Sequence, residues 1–169
     1  VKDINGGIGR NNTQSFTVNT VSSISLPYGF INFSSVTLGQ QNVQAYPHLL
    51  LNNTGNDDFD MINISAAALV GMTTTSESIA VTNFYANVSN NTGGLGQQLA
   101  TSAVILRELL QPAADSLENA TLLHGHTSAF APNADKGNKS VFFWVDVPSS
   151  GLASQLYNNT WNVTAVNLP

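Results

Sequence analysis

Side chains that could bind a metal ion are concentrated in the turn-rich stretch 53–60. Its oxygens come from Asn53, Asn56, Asp57, Asp58 and Asp60. Three of them, on Asn56, Asp58 and Asp60, alternate along the chain as the ligands of a calcium loop do. The glycine and the distant bidentate glutamate of such a loop are missing. A solvated turn fits the stretch better, and calcium binding stays an open alternative.

The three histidines are the other candidates for metal ligands. His124 and His126 would share one face of a strand, and His48 could supply a third nitrogen. The chain contains no cysteine, so no thiolate could complete the set. We interpret His124 and His126 as residues on a strand edge, and we expect no metal ion and no other cofactor.

The chain carries no sequence motif of a catalytic site. It has no Gly-x-Ser-x-Gly elbow, no His-Glu-x-x-His and no phosphate-binding glycine loop. Glu108 and Glu118 have no convincing catalytic partner. We therefore expect that the protein is not an enzyme.

The low charge limits the expected partners. Only 9% of the 169 residues are charged, whereas an average soluble domain has about 25%. With five basic residues and a net charge of −5, the chain is not expected to bind nucleic acid. No apolar run reaches about 18 residues, so we expect no membrane span. Nothing in the composition requires more than one folded head domain.

Sequons for N-glycosylation are the strongest indication of the compartment. The chain contains ten of them, whereas chance placement in a chain so rich in Asn, Ser and Thr would give about four. We therefore predict a secreted, extracellular protein that carries N-linked glycans. The predicted sites are Asn11, Asn32, Asn52, Asn63, Asn87, Asn90, Asn119, Asn138, Asn158 and Asn162.

The first ten residues begin without Met, which indicates a mature N-terminus left after removal of a signal peptide. Read as a strand, this stretch places Ile4, Gly6 and Ile8 on one face. Its three glycines and its lack of a local partner would leave it disordered when alone. We predict that it lies in the groove of another molecule, with a tail at residues 1–12 and a head domain at 13–169.

The remainder of the chain reads as about nine short strands separated by turn residues, which predicts an all-β sandwich. The strongest strand is expected at 140–147, with Val141, Phe143 and Val145 on one face and Phe142 and Trp144 on the other. Because a glycosylated Asn must face solvent, each sequon also marks the outer face of its strand. This rule predicts the following inward residues: Ile62, Ile64, Phe84, Ala86, Val88, Ala120, Leu122, Trp161, Val163 and Ala165.

One stretch, 97–110, is a candidate for a short helix. Leu99, Ala103, Leu106 and Leu110 recur at helical spacing, and Pro112 follows the end. The run 104–106 would also serve as a buried strand, so both readings stay open.

Three features together resemble a known family. They are the processed start with its alternating Ile-Gly-Ile tail, the sequon-rich sandwich, and the C-terminal run from Phe142-Phe-Trp-Val-Asp-Val-Pro to Leu156-Tyr-Asn-Asn-Thr-Trp-Asn-Val-Thr164. The chain resembles a subunit of the archaeal surface filaments called threads and, more distantly, the archaeal bundling pilins. The resemblance covers the architecture of the whole chain and rests on pattern more than on a diagnostic motif.

The resemblance implies an Ig-like or pilin-like sandwich that lacks a strand. Its groove would be filled by the N-terminal donor strand of the next subunit, with Ile4, Gly6 and Ile8 as the inserted residues. Identical subunits would form a head-to-tail homopolymer, a cell-surface fibre that could touch other cells or surfaces. Gly7 and Gly9 depart from the pattern and leave the register of the strand open.

Two other functions remain as alternatives. A secreted glycan-binding or adhesive module would need an exposed aromatic platform, for which Tyr28, Tyr46 and Trp161 are the candidates. A small secreted metal protein would use the histidines.

Overall fold

The fold is all-β, as a computed structural model shows for residues 20–90, 96–109, 117–120, 122 and 137–167. In this part of the chain the only helical turn is a 3-10 turn at Val81–Asn83. The strands in chain order are β1 Ile24–Ser25, β2 Val43–Gln44, β3 Leu49–Asn53, β4 Met61–Ser65, β5 Leu69–Gly71, β6 Ser78–Ile79, β7 Phe84–Asn87, β8 Gln97–Gln98, β9 Val104–Ile105, β10 Arg107–Leu109, β11 Leu117–Asn119, β12 Asn138–Val145, β13 Tyr157–Asn158 and β14 Asn162–Val166.

The first layer is an antiparallel sheet in the order β1-β3-β12-β7-β8, with β2 also paired to β12. Strand β12 is central because it pairs with β3 through residues 138–141 and with β7 through residues 142–145. Its inward residues Val141, Phe143 and Val145 are buried, and Trp144 on the opposite face is buried as well. The prediction that this run is the strongest strand is confirmed.

The second layer is built from two short antiparallel sheets, β14-β4-β9 and β13-β5-β6. Strands β4 and β5 follow each other in the chain and pair with β14 and β13, respectively. The two sheets are therefore built around the same two stretches of chain, one that contains β4 and β5 and one that contains β13 and β14. Strands β10 and β11 form a separate two-stranded sheet.

Aromatic rings join the two layers. The ring of Trp161, just before β14, lies 5.1 Å from Phe84 and 5.8 Å from Phe143 in the facing sheet. The core between the layers contains most of the residues that the sequons predict to face inward: Ile62, Ile64, Phe84, Ala86, Ala120 and Leu122. Val88, Trp161, Val163 and Ala165 are half-buried against this core. The predicted β-sandwich is confirmed.

Of the two readings of 97–110, the helix is wrong over the described part, which contains β8, β9 and β10. The strand alternative at 104–106 is confirmed in part by β9 at Val104–Ile105. Leu99 and Leu106 are buried, as the helical pattern predicted, but their backbone amides are hydrogen-bonded to strands of different layers. The Leu99 amide donates to the carbonyl of Phe84 at 2.9 Å, and the Leu106 amide donates to that of Ile62 at 2.8 Å. Because the stretch crosses from one sheet to the other, its backbone groups are used by strands instead of by an internal helix. Leu110 lies outside the described residues.

Several predicted features lie outside the described residues, namely the tail 1–12 with Ile4, Gly6 and Ile8, the sequon at Asn11, and the histidines His124 and His126. In the part of the chain that is described, no helix is long and apolar enough to cross a membrane.

Replacing Phe143 with Ala should lower the free energy of unfolding by about 3–5 kcal/mol, the range for removing a buried large aromatic side chain. Phe143 is 1% exposed and contacts Trp161 across the core. Chemical denaturation of the variant measures the loss.

Phe142→Ala is the matched control, since Phe142 is its neighbour on the other face of β12 and is only half-buried. Its loss should be clearly smaller. Equal losses for the two variants would mean that the inner face of β12 is not the main core face.

Candidate functional site

A cleft of about 1050 Å³ opens between the two layers. Its floor is apolar and comes from both sheets, with Leu49, Phe84, Phe143 and Val145 on one side and Ile64 on the other. Pockets for small molecules usually occupy about 300–1,000 Å³. The cleft is therefore large enough for an extended peptide segment.

One side of the cleft, called here the N-terminal wall, consists of residues 29–36 and Leu38. The chain forms no strand between β1 and β2. The wall is attached through the Tyr46 amide, which donates to the Asn32 carbonyl at 2.7 Å, and through the ring of Phe33, which lies 5.6 Å from Phe84. Most of its backbone is thus left without a strand partner among the described residues.

The other side, called the C-terminal wall, consists of residues 152–161 with Val163. Strands β13 and β14 pair on their inner side with β5 and β4, and no strand among the described residues pairs with their outer edge. An unpaired edge presents backbone N–H and C=O groups that can bind another strand. Large apolar side chains surround the opening: Phe30 is 63% exposed, Leu38 53% and Leu156 67%.

One carboxylate accepts three hydrogen bonds from the C-terminal wall. Oε2 of Glu77 accepts hydrogen bonds from the Ala153 amide at 2.7 Å, from Nε2 of Gln155 at 2.8 Å and from the Tyr157 hydroxyl at 2.8 Å. Glu77, Gln155 and Tyr157 are called the Glu77 clasp below. The clasp ties three points of the wall to one residue that precedes β6.

Gln155 extends the clasp to the turn after β5. Its Oε1 accepts hydrogen bonds from the amides of Thr73 and Thr74, both at 2.8 Å. This requires a close approach at Gly71, where a Cβ atom would lie 2.5 Å from Nε2 of Gln155. Any other residue at position 71 would push the Gln155 side chain away from the turn.

Hydrogen bonding shifts the titration of both ionisable members of the clasp. The Ala153 amide, followed by the Tyr157 hydroxyl, lowers the pKa of Glu77, because hydrogen bonds donated to a carboxylate favour its charged form. Burial, followed by the hydrogen bond to Glu77, raises the pKa of the Tyr157 hydroxyl. The clasp therefore favours an ionised Glu77 next to a neutral Tyr157.

The stretch predicted as a calcium loop or a solvated turn is an internally bonded junction. Asn53 is 2% exposed; its Nδ2 donates to the carbonyls of Asp57 and Leu122, and its Oδ1 accepts from the Gly55 amide at 2.9 Å. The Asp57 carboxylate accepts from Nδ2 of Asn167. Across the described residues, no group of three or more His, Cys, Asp or Glu side chains is placed to hold a metal ion.

The junction also contacts the first described residues of the chain. The Val21 amide donates to Oδ1 of Asn56 at 2.7 Å, and the Asn56 amide donates back to the Val21 carbonyl at 2.9 Å. Residues near both ends of the described chain, Val21 and Asn167, therefore meet at loop 53–58. This end of the sandwich is called the loop end.

The cleft lies toward the opposite end of the sandwich. Its lining includes Leu49 of β3, Ile64 of β4 and Val163 of β14. Each of these strands has one terminus at the loop end, namely Asn53 of β3, Met61 of β4 and Val166 of β14. The residue that lines the cleft lies farther along the strand, away from that terminus. The chain thus enters the body at one end and presents its cleft toward the other.

The aromatic candidates are divided between surface and core. Tyr28 is 53% exposed and Tyr46 is 81% exposed. Trp161 is half-buried, and its Nε1 donates to the Ala67 carbonyl at 2.8 Å. It is thus the part of the C-terminal wall that packs on the floor residues Phe84 and Phe143, and it does not form a surface platform. The ring of His48 lies 5.1 Å from that of Phe142.

Eight of the predicted glycosylation sites have described side chains. Those of Asn32, Asn90, Asn158 and Asn162 are exposed, and those of Asn52, Asn63 and Asn138 are half-buried. Asn87 differs from the outward prediction, since it is 3% exposed. Its Oδ1 accepts from the Ser89 amide at 3.1 Å, and its position in β7 lies opposite Phe142 of β12. The side chain of Asn119 and residue Asn11 lie outside the description.

Sequence reasoning missed the Glu77 clasp, although two signals pointed to it. Glu77 is the only charged residue between Asp60 and Arg107, and an isolated glycine in a strand pattern, here Gly71, marks a close approach of another group. Neither signal identifies Gln155 or Tyr157, which lie about eighty positions further along the chain.

No protein-family model matches the chain, and neither a curated protein nor a solved structure matches it. The cleft, its two walls and their hydrogen bonds are thus the observations that bear on function.

We predict that glycan occupancy is lowest at Asn87. Its nearly complete burial leaves no room for a glycan on Nδ2 without opening β7. Asn90 is the matched control, because it is exposed and lies three residues away. Glycopeptide mapping of the native protein measures occupancy at both positions, and a fully occupied Asn87 would show that the strand opens or forms after glycosylation.

Proposed function

We propose that the protein is a structural subunit of an extracellular, glycosylated filament. In this proposal, residues 1–12 of one subunit form a donor strand that fills the cleft of the next, so that identical subunits polymerise head-to-tail. The observation that carries the proposal is the apolar cleft, which has on one side a strand edge that no described strand pairs with and on the other side a strand-free segment. Such a slot is an aggregation hazard unless a strand fills it.

The chemistry of the tail fits the chemistry of the cleft. Inserted as a strand, the tail would place Ile4, Gly6 and Ile8 on the apolar floor, while its backbone pairs with the outer edge of β13 and β14. Burying each isoleucine contributes about 1.5–3 kcal/mol, and each ladder hydrogen bond contributes about 0.5–1.5 kcal/mol. Ordering the tail costs about 1–2 kcal/mol per residue. Durability of the filament would then come from slow strand withdrawal more than from equilibrium affinity.

The positions of the cleft and of the entering chain also fit a polymer. Residues that follow the tail reach the body at the loop end, whereas the cleft lies toward the other end. A contact between two different surfaces of identical subunits repeats head-to-tail, and it generates a fibre when the rotation between subunits does not close a ring. A tail that enters the next subunit from its cleft end would run antiparallel to β14 of that subunit.

Changes in the tail should abolish polymerisation. Deleting residues 1–12 removes the donor strand, and Ile4→Asp places an unpaired charge on the apolar floor. Gly6→Trp adds a bulky side chain between the two inserted isoleucines. Each variant should give monomers or short oligomers by electron microscopy. Asn5→Asp is the matched control, because it adds the same charge on the opposite face of the strand and should leave filaments intact. Normal filaments from the deletion variant would refute the donor-strand proposal.

Cross-linking should show which cleft the tail enters. The chain has no cysteine, so an introduced pair has no competitor. Asn12→Cys combined with Leu156→Cys, at the opening of the cleft, should give a ladder of covalent oligomers on a non-reducing gel. Asn12→Cys combined with Thr164→Cys, nearer the loop end, should not. Cross-linked monomer from the second pair would mean that each tail occupies the cleft of its own subunit.

A further inference from the structure

The C-terminal wall of the cleft depends on one ionisable group. Within residues 152–161 of this wall, the described strand pairing on the inner side is the two-residue contact of β13 with β5. In addition, the Met72 amide donates to the Leu156 carbonyl at 2.8 Å. The segment 152–155, which forms the outer part of the wall, belongs to no strand. The Ala153 amide and Nε2 of Gln155 both donate to Glu77. Oε1 of Gln155 also accepts from the Thr73 and Thr74 amides, and the Ala153 carbonyl accepts from the Tyr157 hydroxyl.

We propose that Glu77 is the positioning residue of the C-terminal wall, and that protonation of its carboxylate releases this wall and loosens the hold of the cleft on its occupant. One oxygen of Glu77 accepts all three hydrogen bonds, and such bonds are about twice as strong when the acceptor is charged. A protonated carboxyl is a weaker acceptor and becomes a donor itself. The backbone amide of Ala153, Nε2 of Gln155 and the Tyr157 hydroxyl would then share a weaker hydrogen-bond acceptor.

Glu77 is the only carboxyl group in the described segments that form or face the wall, and these segments contain no histidine. Segments 66–84 and 148–167 contain Glu77 and Tyr157 as their only titratable residues, and the facing segment 26–38 contains only Tyr28. A free tyrosine titrates near pH 10, and the pKa of Tyr157 is raised further. A response of the wall to acid pH can therefore be assigned to Glu77.

The sign of the effect follows from the lowered pKa of Glu77. A carboxyl whose pKa is lower in the folded state than in the unfolded state stabilises the fold fully at pH values above the unfolded pKa. The unperturbed value of Glu77 is 4.5, so the clasp contributes fully at neutral pH. Its contribution decreases below pH 4.5 and is lost as the pH falls through the folded pKa. The clasp thus tolerates mild acid and opens in strong acid.

Hydrogen exchange on the full-length protein tests the proposal directly, since the Ala153 amide is itself one of the donors. We expect protection of amides 153–157, corrected for intrinsic rates, to fall about tenfold between pH 6 and pH 2 in the wild type, the change expected from losing a hydrogen bond. In Glu77→Gln the protection should already be low at pH 6 and should change little with pH. Asp60→Asn, which neutralises an exposed carboxylate at the loop end, should behave as the wild type does.

A second measurement links the wall to the occupant, whose identity rests on the proposed function. Filaments of the wild type should release subunits faster at pH 2 than at pH 6, whereas filaments of Glu77→Gln should release them equally fast at both. Unchanged protection of amides 153–157 in acid, or a pH response that persists in Glu77→Gln, would overturn the role of Glu77. Protection that changes as expected in a protein that forms no filaments would uphold the clasp and refute the donor-strand function.

Discussion

The packing of Trp161 against Phe84 and Phe143 is the contact on which the other features of the cleft depend. It joins the two layers at the floor of the cleft, and the hydrogen bond from Nε1 to the Ala67 carbonyl fixes the ring in this position. Packed sheets normally lie about 10 Å apart, with interdigitating side chains between them. Here the contact links the two layers directly beneath the cleft, where no strand among the described residues flanks the outer side of β13 and β14.

The sequence predicted the layers well because burial imposes period two on a strand. It identified the faces of β12 and placed Ala120 and Leu122 inward, and both are fully buried. The helix prediction at 97–110 failed because Leu99 and Leu106 are seven positions apart, a spacing that fits one face of a helix. The same spacing also fits a chain that passes from one sheet to the other and buries one leucine in each. The sequon rule failed at Asn87, because the side chain of this residue in β7 is buried and not exposed. Its Oδ1 accepts a hydrogen bond from the nearby Ser89 amide.

The clasp could not be predicted because its partners are far apart in the chain and none of them belongs to a recognisable motif. Composition did indicate why one carboxylate should matter. In a chain with few charged residues, little stability is linked to the protonation of carboxyl groups, so the fold as a whole is expected to respond weakly to acid. A single carboxylate with three donors then stands out as a local exception, next to segment 152–155, which belongs to no strand.

The direction of β1 bears on whether the tail fills its own cleft or that of a neighbour. A tethered tail has a high effective concentration for its own cleft, on the order of millimolar, so mass action alone would favour self-occupation. Strand β1 is antiparallel to β3, which ends at the loop end. Traced backward from Ile24 to Val21, the described chain therefore runs toward loop 53–58, at the end of the sandwich opposite the cleft. To fill its own cleft, the tail would have to reverse and run parallel to β14, whereas in a neighbour it would continue outward and pair antiparallel, the slightly more stable arrangement. If residues 1–12 act as the proposed donor strand, the direction of the chain at Val21 and Asn56 supports insertion into a neighbouring subunit over self-occupation.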